Sequence, residues 1–346
     1  MSREAMKSRR EFLKEAATGA VLLGSSAAAE KLARAGMLDT HAAQNTARKP
    51  KVVIARDAAL HGAGAHPDEQ RVLNLLDKAM AAYTGREKPV EAWKSVVPAS
   101  VLAGKVIGLK VNGLGGRGIS THAALTLAIA ERLQQAGVRA GNILVWERDA
   151  RSLEACGMSV NTDPSRVRCY GNDVGGYEAE QSSWGTVNVR LAKILTRECA
   201  MVINLPILKD HDQAGLTFSM KNMYGVVERP DQLHANHCNP SVADLNAIAT
   251  VREKVWFTVG DAISSVYDGG PGFRPERLWY PNALVVGEDR VAVDHTAWQL
   301  MERKRAEAGM PTLEAAGRAP QYIATAADAA HRLGTCDPQR IRLVEV

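Results

Sequence analysis

Residues 106–111, Val-Ile-Gly-Leu-Lys-Val, decide the fold together with the segments on their carboxyl side. After them come Asn112, a glycine-rich run (Gly113-Leu114-Gly115-Gly116-Arg117-Gly118), residues 121–135, and Ile-Leu-Val-Trp at 143–146. The first and last segments are short apolar runs without alternation, as expected of strands buried on both faces. Between them, residues 121–135 space their apolar side chains as a helix does, with Ser120 or Thr121 as the cap and Gly137 as the stop. Strand, loop, helix, strand is the unit of a parallel sheet.

The same alternation extends outward. Residues 51–56 (KVVIAR) read as a strand, and residues 68–83 as a helix through Val72, Leu75, Leu76 and Ala79. Strands are expected at 167–170, 201–205, 255–259, 284–286 and 341–344. Residues 171–185 read as loop or hairpin. Helices are expected at 216–226, 241–251, 291–303 and around 321–333. The expectation is an α/β fold: one domain over residues 51–346, a largely parallel sheet with helices on both faces.

In open parallel sheets, ligands bind at the carboxyl ends of the strands. The residues just past the expected strands are Asn112, Glu147, the Lys209-Asp210-His211 group and Asp261, and their convergence marks a candidate site. The glycine run matches G-x-G-x-x-G, but the first acidic strand end, Glu147, lies about thirty residues beyond Gly118 rather than roughly twenty. A flexible turn leaving backbone N–H groups, Gly115 among them, open to an anion fits better than a dinucleotide site.

Residues 203–238 are densest in chemistry. Lys209, His211, Lys221, Asn222, His234, His237 and Cys238 all fall there. Imidazoles with a thiolate suit a transition metal, so His211, His234, His237 and Cys238 are candidate ligands. A lysine pair suits an anion. The H-x-x-H pair equally fits a polar surface loop. No G-x-S-x-G occurs, which disfavours a nucleophilic-serine hydrolase. The five cysteines contain no C-x-x-C, so neither a zinc ribbon nor a ferredoxin cluster is encoded.

The chain has 346 residues and a net charge of +5, with 5% aromatics. Residues 1–35 hold seven Lys/Arg against four Glu, leaving the remainder almost balanced. Neither the charge nor the aromatic content suits a nucleic-acid partner. Ser8-Arg9-Arg10-Glu11-Phe12-Leu13-Lys14 resembles the twin-arginine export signal at every position. An Ala/Gly-rich stretch comes next, too short for a stable span, with A-x-A cleavage sites ending at Ala29 and Ala35. Residues 1–35 therefore read as a signal peptide handed to the twin-arginine translocase, residues 36–50 as a linker, and the mature protein as periplasmic.

Residues 202–225, with Asn204-Leu205-Pro206-x-Leu208-Lys209-x-His211 and Leu216-Thr217-x-x-x-Lys221-Asn222-x-x-Gly225, resemble a bacterial and archaeal family named only as domain of unknown function 362. Lys110-x-Asn112, Thr121-His122, Asp261, Asp268-Gly269-Gly270-Pro271-Gly272 and Val291-Ala292-Val293-Asp294 are similar to its other motifs, over roughly residues 52–300. Many members carry an added ferredoxin-type cysteine cluster; this chain lacks it. The resemblance implies an exported, cofactor- or metal-dependent protein of redox type. In that reading Lys209, His211, Lys221 and Asn222 carry the chemistry, and Asn112, Gly115, Asp261 and Asp294 contact the cofactor or ligand. Two alternatives stay open: a periplasmic protein that binds a small anion, and a non-redox enzyme acting on phosphate or carboxylate substrates.

Overall fold

Alternating burial builds the sheet. In β1 (Lys51–Arg56), Val52 and Ile54 enter one core while Val53 and Ala55 enter the other. The same split recurs in β3 (Ile143–Trp146), where Leu144 and Trp146 face the first core and Ile143 and Val145 the second. Successive side chains of a strand point to opposite faces, so a sheet with two apolar faces must be covered on both. The computed structural model describes residues 49–61 and 66–346, so the signal-peptide reading and the linker up to residue 48 lie outside the described residues.

β2 (Val106–Lys110) lies beside β3, which β4 (Arg168–Cys169) flanks. β5 (Ser182–Trp184) and β6 (Val187–Val189) form a separate hairpin. The rest of the sheet comprises β7 (Cys199–Asn204), β8 (Ile207–His211), β9 (Gly215–Thr217), β10 (Val255–Val266), β11 (Leu278–Trp279), β12 (Ala283–Gly287) and β13 (Arg342–Glu345). Among the described residues the sheet has eleven strands, with main order β13-β1-β12-β10-β7-β2-β3-β4. Along this path only β12 runs against its neighbours, so the fold is α/β with a mostly parallel mixed sheet. Helices α1 (Glu69–Thr84), α2 (Pro89–Val96) and α3 (Ala123–Gln135) cover one face. On the other lie α4 (Ser241–Ala247), α5 (Ala249–Lys254), α6 (Arg290–Glu307) and α7 (Tyr322–Ala327). No helix among the described residues is long and apolar enough to cross a membrane.

Several elements differ from the sequence expectation. Residues 216–226 are not a helix. Gly215–Thr217 pairs as β9 with β8, and Lys221–Val226 forms a 3₁₀ turn. The helix expected at 241–251 breaks at Ile248, whose backbone is extended, and the one around 321–333 shrinks to α7. β10 runs twelve residues instead of five, so Asp261 lies inside the strand, not past it. Lys209 and His211 likewise lie on β8 rather than after a strand. Thr121 does not cap α3, which starts after His122. Its hydroxyl donates to Leu205 O (2.7 Å) and accepts from Asn112 N (2.8 Å), tying two strand ends together.

The length of β10 is what positions the site. Its first part pairs with β7 and its second with β8. Between those strands Leu205 N donates to Lys110 O and Asp261 N to Pro206 O, both at 2.8 Å. The chain thus steps off the sheet at Pro206 and continues along the same neighbour, carrying Lys209 and His211 beyond the carboxyl edge.

Candidate functional site

Four buried polar side chains line up where β2 and β7 end. Lys209 Nζ donates to Asn112 Oδ1 (3.0 Å), Asn112 Nδ2 to Asn222 Oδ1 (2.9 Å), and Asn222 Nδ2 to Asn204 Oδ1 (2.7 Å). Asn204 Nδ2 ends the series on Ser219 O (2.8 Å). Every amide donates in one direction, and their oxygens point back toward the Lys209 ammonium. Beside them Lys110 Nζ is paired with Glu147 Oε1 at 2.7 Å, both groups buried.

Part of this array borders a cavity of about 200 Å³, lined among others by Asn112, Glu147, Arg148, Lys209, His211, Thr217, Lys221, Asn222, Tyr224 and His234. Seven residues singled out from the sequence are therefore gathered: Asn112, Glu147, Lys209, His211, Lys221, Asn222 and His234. Lys221 Nζ lies 4.1 Å from the centroid of the Tyr224 ring and donates to His234 Nε2 (3.3 Å). That acceptor role follows from the other ring nitrogen, since Nδ1 faces Pro230 O at 2.9 Å and must carry the proton. The His211 and His234 rings stack with centroids 5.7 Å apart. His211 Nδ1 faces the amides of Gln213 (3.2 Å) and Ala214 (3.3 Å) and also the Asp212 carboxylate (2.9 Å). That carboxylate is mostly exposed and takes the Gln213 amide itself. The two amides therefore set the tautomer: Nδ1 accepts and Nε2 carries the hydrogen.

The charges are strained. Burial pushes Lys209 down to about 7, partly countered by Glu147 and reinforced by Lys221 and Lys110. Burial also pushes Lys221 down to about 8. His211 falls to about 2, through burial first and then the neighbouring Lys221, His234 and Lys209, so it is neutral in the physiological range. Among the described residues neither lysine ammonium has a carboxylate ion-pair partner; Lys209 bonds to Asn112, and Lys221 to His234 and the Cys238 thiol. Thr217 Oγ1, buried on the cavity wall, has no hydrogen-bond partner.

The candidate metal set does not form. Among the described residues no three His, Cys, Asp or Glu side chains gather as a metal site. His237 is exposed, with Nδ1 on Gln213 O (3.1 Å), while Cys238 is buried beside Lys221 and Tyr224. The reason is electrostatic: the Lys221 ammonium occupies the space among His211, His234 and Cys238, where a metal cation would have to stand. All five cysteines are free thiols.

Two acidic candidates also do other work. Asp261 Oδ2 accepts from both the backbone N (2.8 Å) and Nδ1 (2.9 Å) of His122, anchoring the start of α3. Burial alone would lower the His122 pKa, but the Asp261 charge and hydrogen bond hold it above its ordinary value. Asp294, on α6, accepts from the amides of Ser219 (2.6 Å) and Met220 (3.0 Å) and so fixes the turn leading to Lys221. Burial raises it to about 7 against the pull of those amides. Gly115 is not on the cavity wall but lies against Lys209, where an added Cβ would sit 2.9 Å from Nζ.

A family profile described as Domain of unknown function (DUF362) matches residues 107–299, more than half of the chain. The chain belongs to that family. The matched span contains the whole asparagine series and both cavity lysines of this DUF362 chain. No curated protein matches it. A crystal structure of a protein from Thermotoga maritima is similar at 12% identity and TM-score 0.46, over 68% of this chain and 59% of that one.

Sequence reasoning missed Thr217, Arg148 and Tyr224 as cavity-lining residues. Arg148 follows Glu147, Tyr224 lies two residues past Asn222, and Thr217 stood only within the family motif; the fold alone shows that they turn inward.

Proposed function

We propose that the protein is exported through the twin-arginine route and binds a small carboxylate- or phosphate-bearing anion in the Lys209–Lys221 cavity. One observation carries the binding reading. Two buried ammonium groups border a single cavity without a carboxylate partner, and an orphan hydroxyl, Thr217 Oγ1, shares its wall. Buried charges are ordinarily paired, and an unmatched polar pair of this kind is stabilised by a ligand that supplies the missing acceptor. Glu147, the cavity-wall acid that acts on Lys209, is already committed to Lys110. The cavity is small compared with the roughly 300–1,000 Å³ of drug-sized sites, which limits the ligand to a few heavy atoms. Export is supported by the Ser8–Lys14 motif. We prefer this reading to a metal-dependent redox role because the candidate ligands enclose an ammonium instead of a vacant coordination site.

The test is titration of the purified protein with sulfate and with inorganic phosphate, followed by calorimetry. Lys221→Ala should abolish binding and change stability by no more than about 1 kcal/mol, because lost contacts are offset by relief of a buried charge. Unchanged affinity in that variant, or no binding by the parent chain, would refute the proposal.

A further inference from the structure

Lys209 is placed in a way that charge alone does not explain. Its side chain is fully buried, and its one hydrogen bond goes to a neutral amide oxygen. Two further cations, Lys110 and Lys221, act on it. The glycine loop closes one side, since a Cβ on Gly115 would sit 2.9 Å from Nζ, leaving the cavity as the approach to the amine. A buried lysine beside other cations sheds its proton easily and becomes a nucleophile toward carbonyl carbon.

We propose that Lys209 is a covalent site, its amine condensing with the carbonyl of a small 2-oxo acid whose carboxylate is held by Lys221. This rests on the anion-binding reading above and gives it a substrate class. In the step, the neutral amine of Lys209 attacks the carbonyl carbon and the oxygen takes a proton from the Lys221 ammonium. The resulting carbinolamine then expels its hydroxyl. The two hydrogens of the attacking amine end on the departing oxygen, which leaves as water, and Lys221 recovers its proton. The product is an imine; nothing is oxidised or reduced. His211, neutral with its hydrogen on Nε2, serves as a donor within the cavity and not as a base. The asparagine series keeps Asn112 Oδ1 aimed at the Lys209 nitrogen, which orients the amine before attack.

The experiment incubates the purified protein separately with pyruvate, 2-oxobutyrate and 2-oxoglutarate in the presence of cyanoborohydride, then reads intact mass and peptide maps. One reduced adduct, localised to Lys209, is expected with at least one of the three acids. Its yield should rise with pH as Lys209 loses its proton near 7 and fall again as Lys221 loses its own near 8. Sulfate should suppress it by competition. Lys209→Arg should lose the adduct. Sulfate binding without an adduct at Lys209 from any of the three acids overturns the covalent proposal and leaves the anion reading standing; loss of sulfate binding by the parent chain overturns both. Adducts spread over surface lysines, or undiminished in Lys209→Arg, also overturn it. Peptide mapping of the parent chain decides the matter even if the arginine variant fails to fold.

Discussion

Sulfate affinity should collapse between pH 6 and pH 9. Sulfate keeps its charge over that range, so any change comes from the protein. Burial holds Lys209 near 7 and Lys221 near 8, against an ordinary lysine value of 10.5. At pH 6 nearly every molecule carries both protons; at pH 9 roughly one in a thousand does, so affinity should weaken by about a thousandfold. Binding near neutral pH should also draw protons into the site. The free protein shows the converse. Its depressed lysines mean that the unfolded chain binds more protons between about pH 7 and 10.5, so these groups make stability rise with pH across that window. For Lys209 alone, the displacement from 10.5 to about 7 corresponds to roughly 5 kcal/mol, a penalty that a bound anion relieves. Calorimetric titration with sulfate at several pH values, in two buffers of different ionisation heat, measures both the affinity and the proton uptake. A pH-independent dissociation constant, or binding without proton uptake at pH 7.5, would refute the reasoning.

Two further outcomes are expected. Leu216→Ala and Met220→Ala remove fully buried side chains and should each cost roughly 2–5 kcal/mol in denaturant unfolding; values below about 1 kcal/mol would mean that the turn before Lys221 is not packed as described. Replacing both Arg9 and Arg10 by Lys should leave the full-length chain in the cytoplasm, and a processed periplasmic product from that variant would sink the export proposal.

The strands were readable because their chemistry is local. Residues 51–56 form β1 with the expected bounds, and the apolar runs at 106–111 and 143–146 lie side by side as β2 and β3. Residues 216–226 were not readable. Leu216, Phe218, Met220, Met223 and Val226 are all buried, and a segment buried on every side has no periodicity to separate strand from helix. What decides the turn is a carboxylate about seventy-five positions away, Asp294, on the amides of Ser219 and Met220. The cavity was half legible for the same reason. Lys209, His211, Lys221 and Asn222 stand out as residue types in a short span. The roles of Asp261 and Asp294 depend instead on which distant backbone amides they meet. The H-x-x-H-C pattern suggested a metal, but nothing in the sequence positions of His211, His234 and Cys238 shows that a lysine ammonium stands among them.

The asparagine series has a consequence for how quickly the site can respond. Asn112 turns its oxygen to the Lys209 cation as a water would, and Asn222 and Asn204 stand in line behind it, each fixed in place by its own bonds. The site carries one frozen stand-in for water, backed by a fixed file of dipoles. A cation held by a carboxylate must break that pairing before it can greet an incoming anion, whereas one held by neutral dipoles keeps its full field and need rearrange nothing. Occupancy is then governed by proton activity in the surrounding fluid rather than by competition with an internal acid. Such a site gains and loses its ligand as the medium acidifies and recovers.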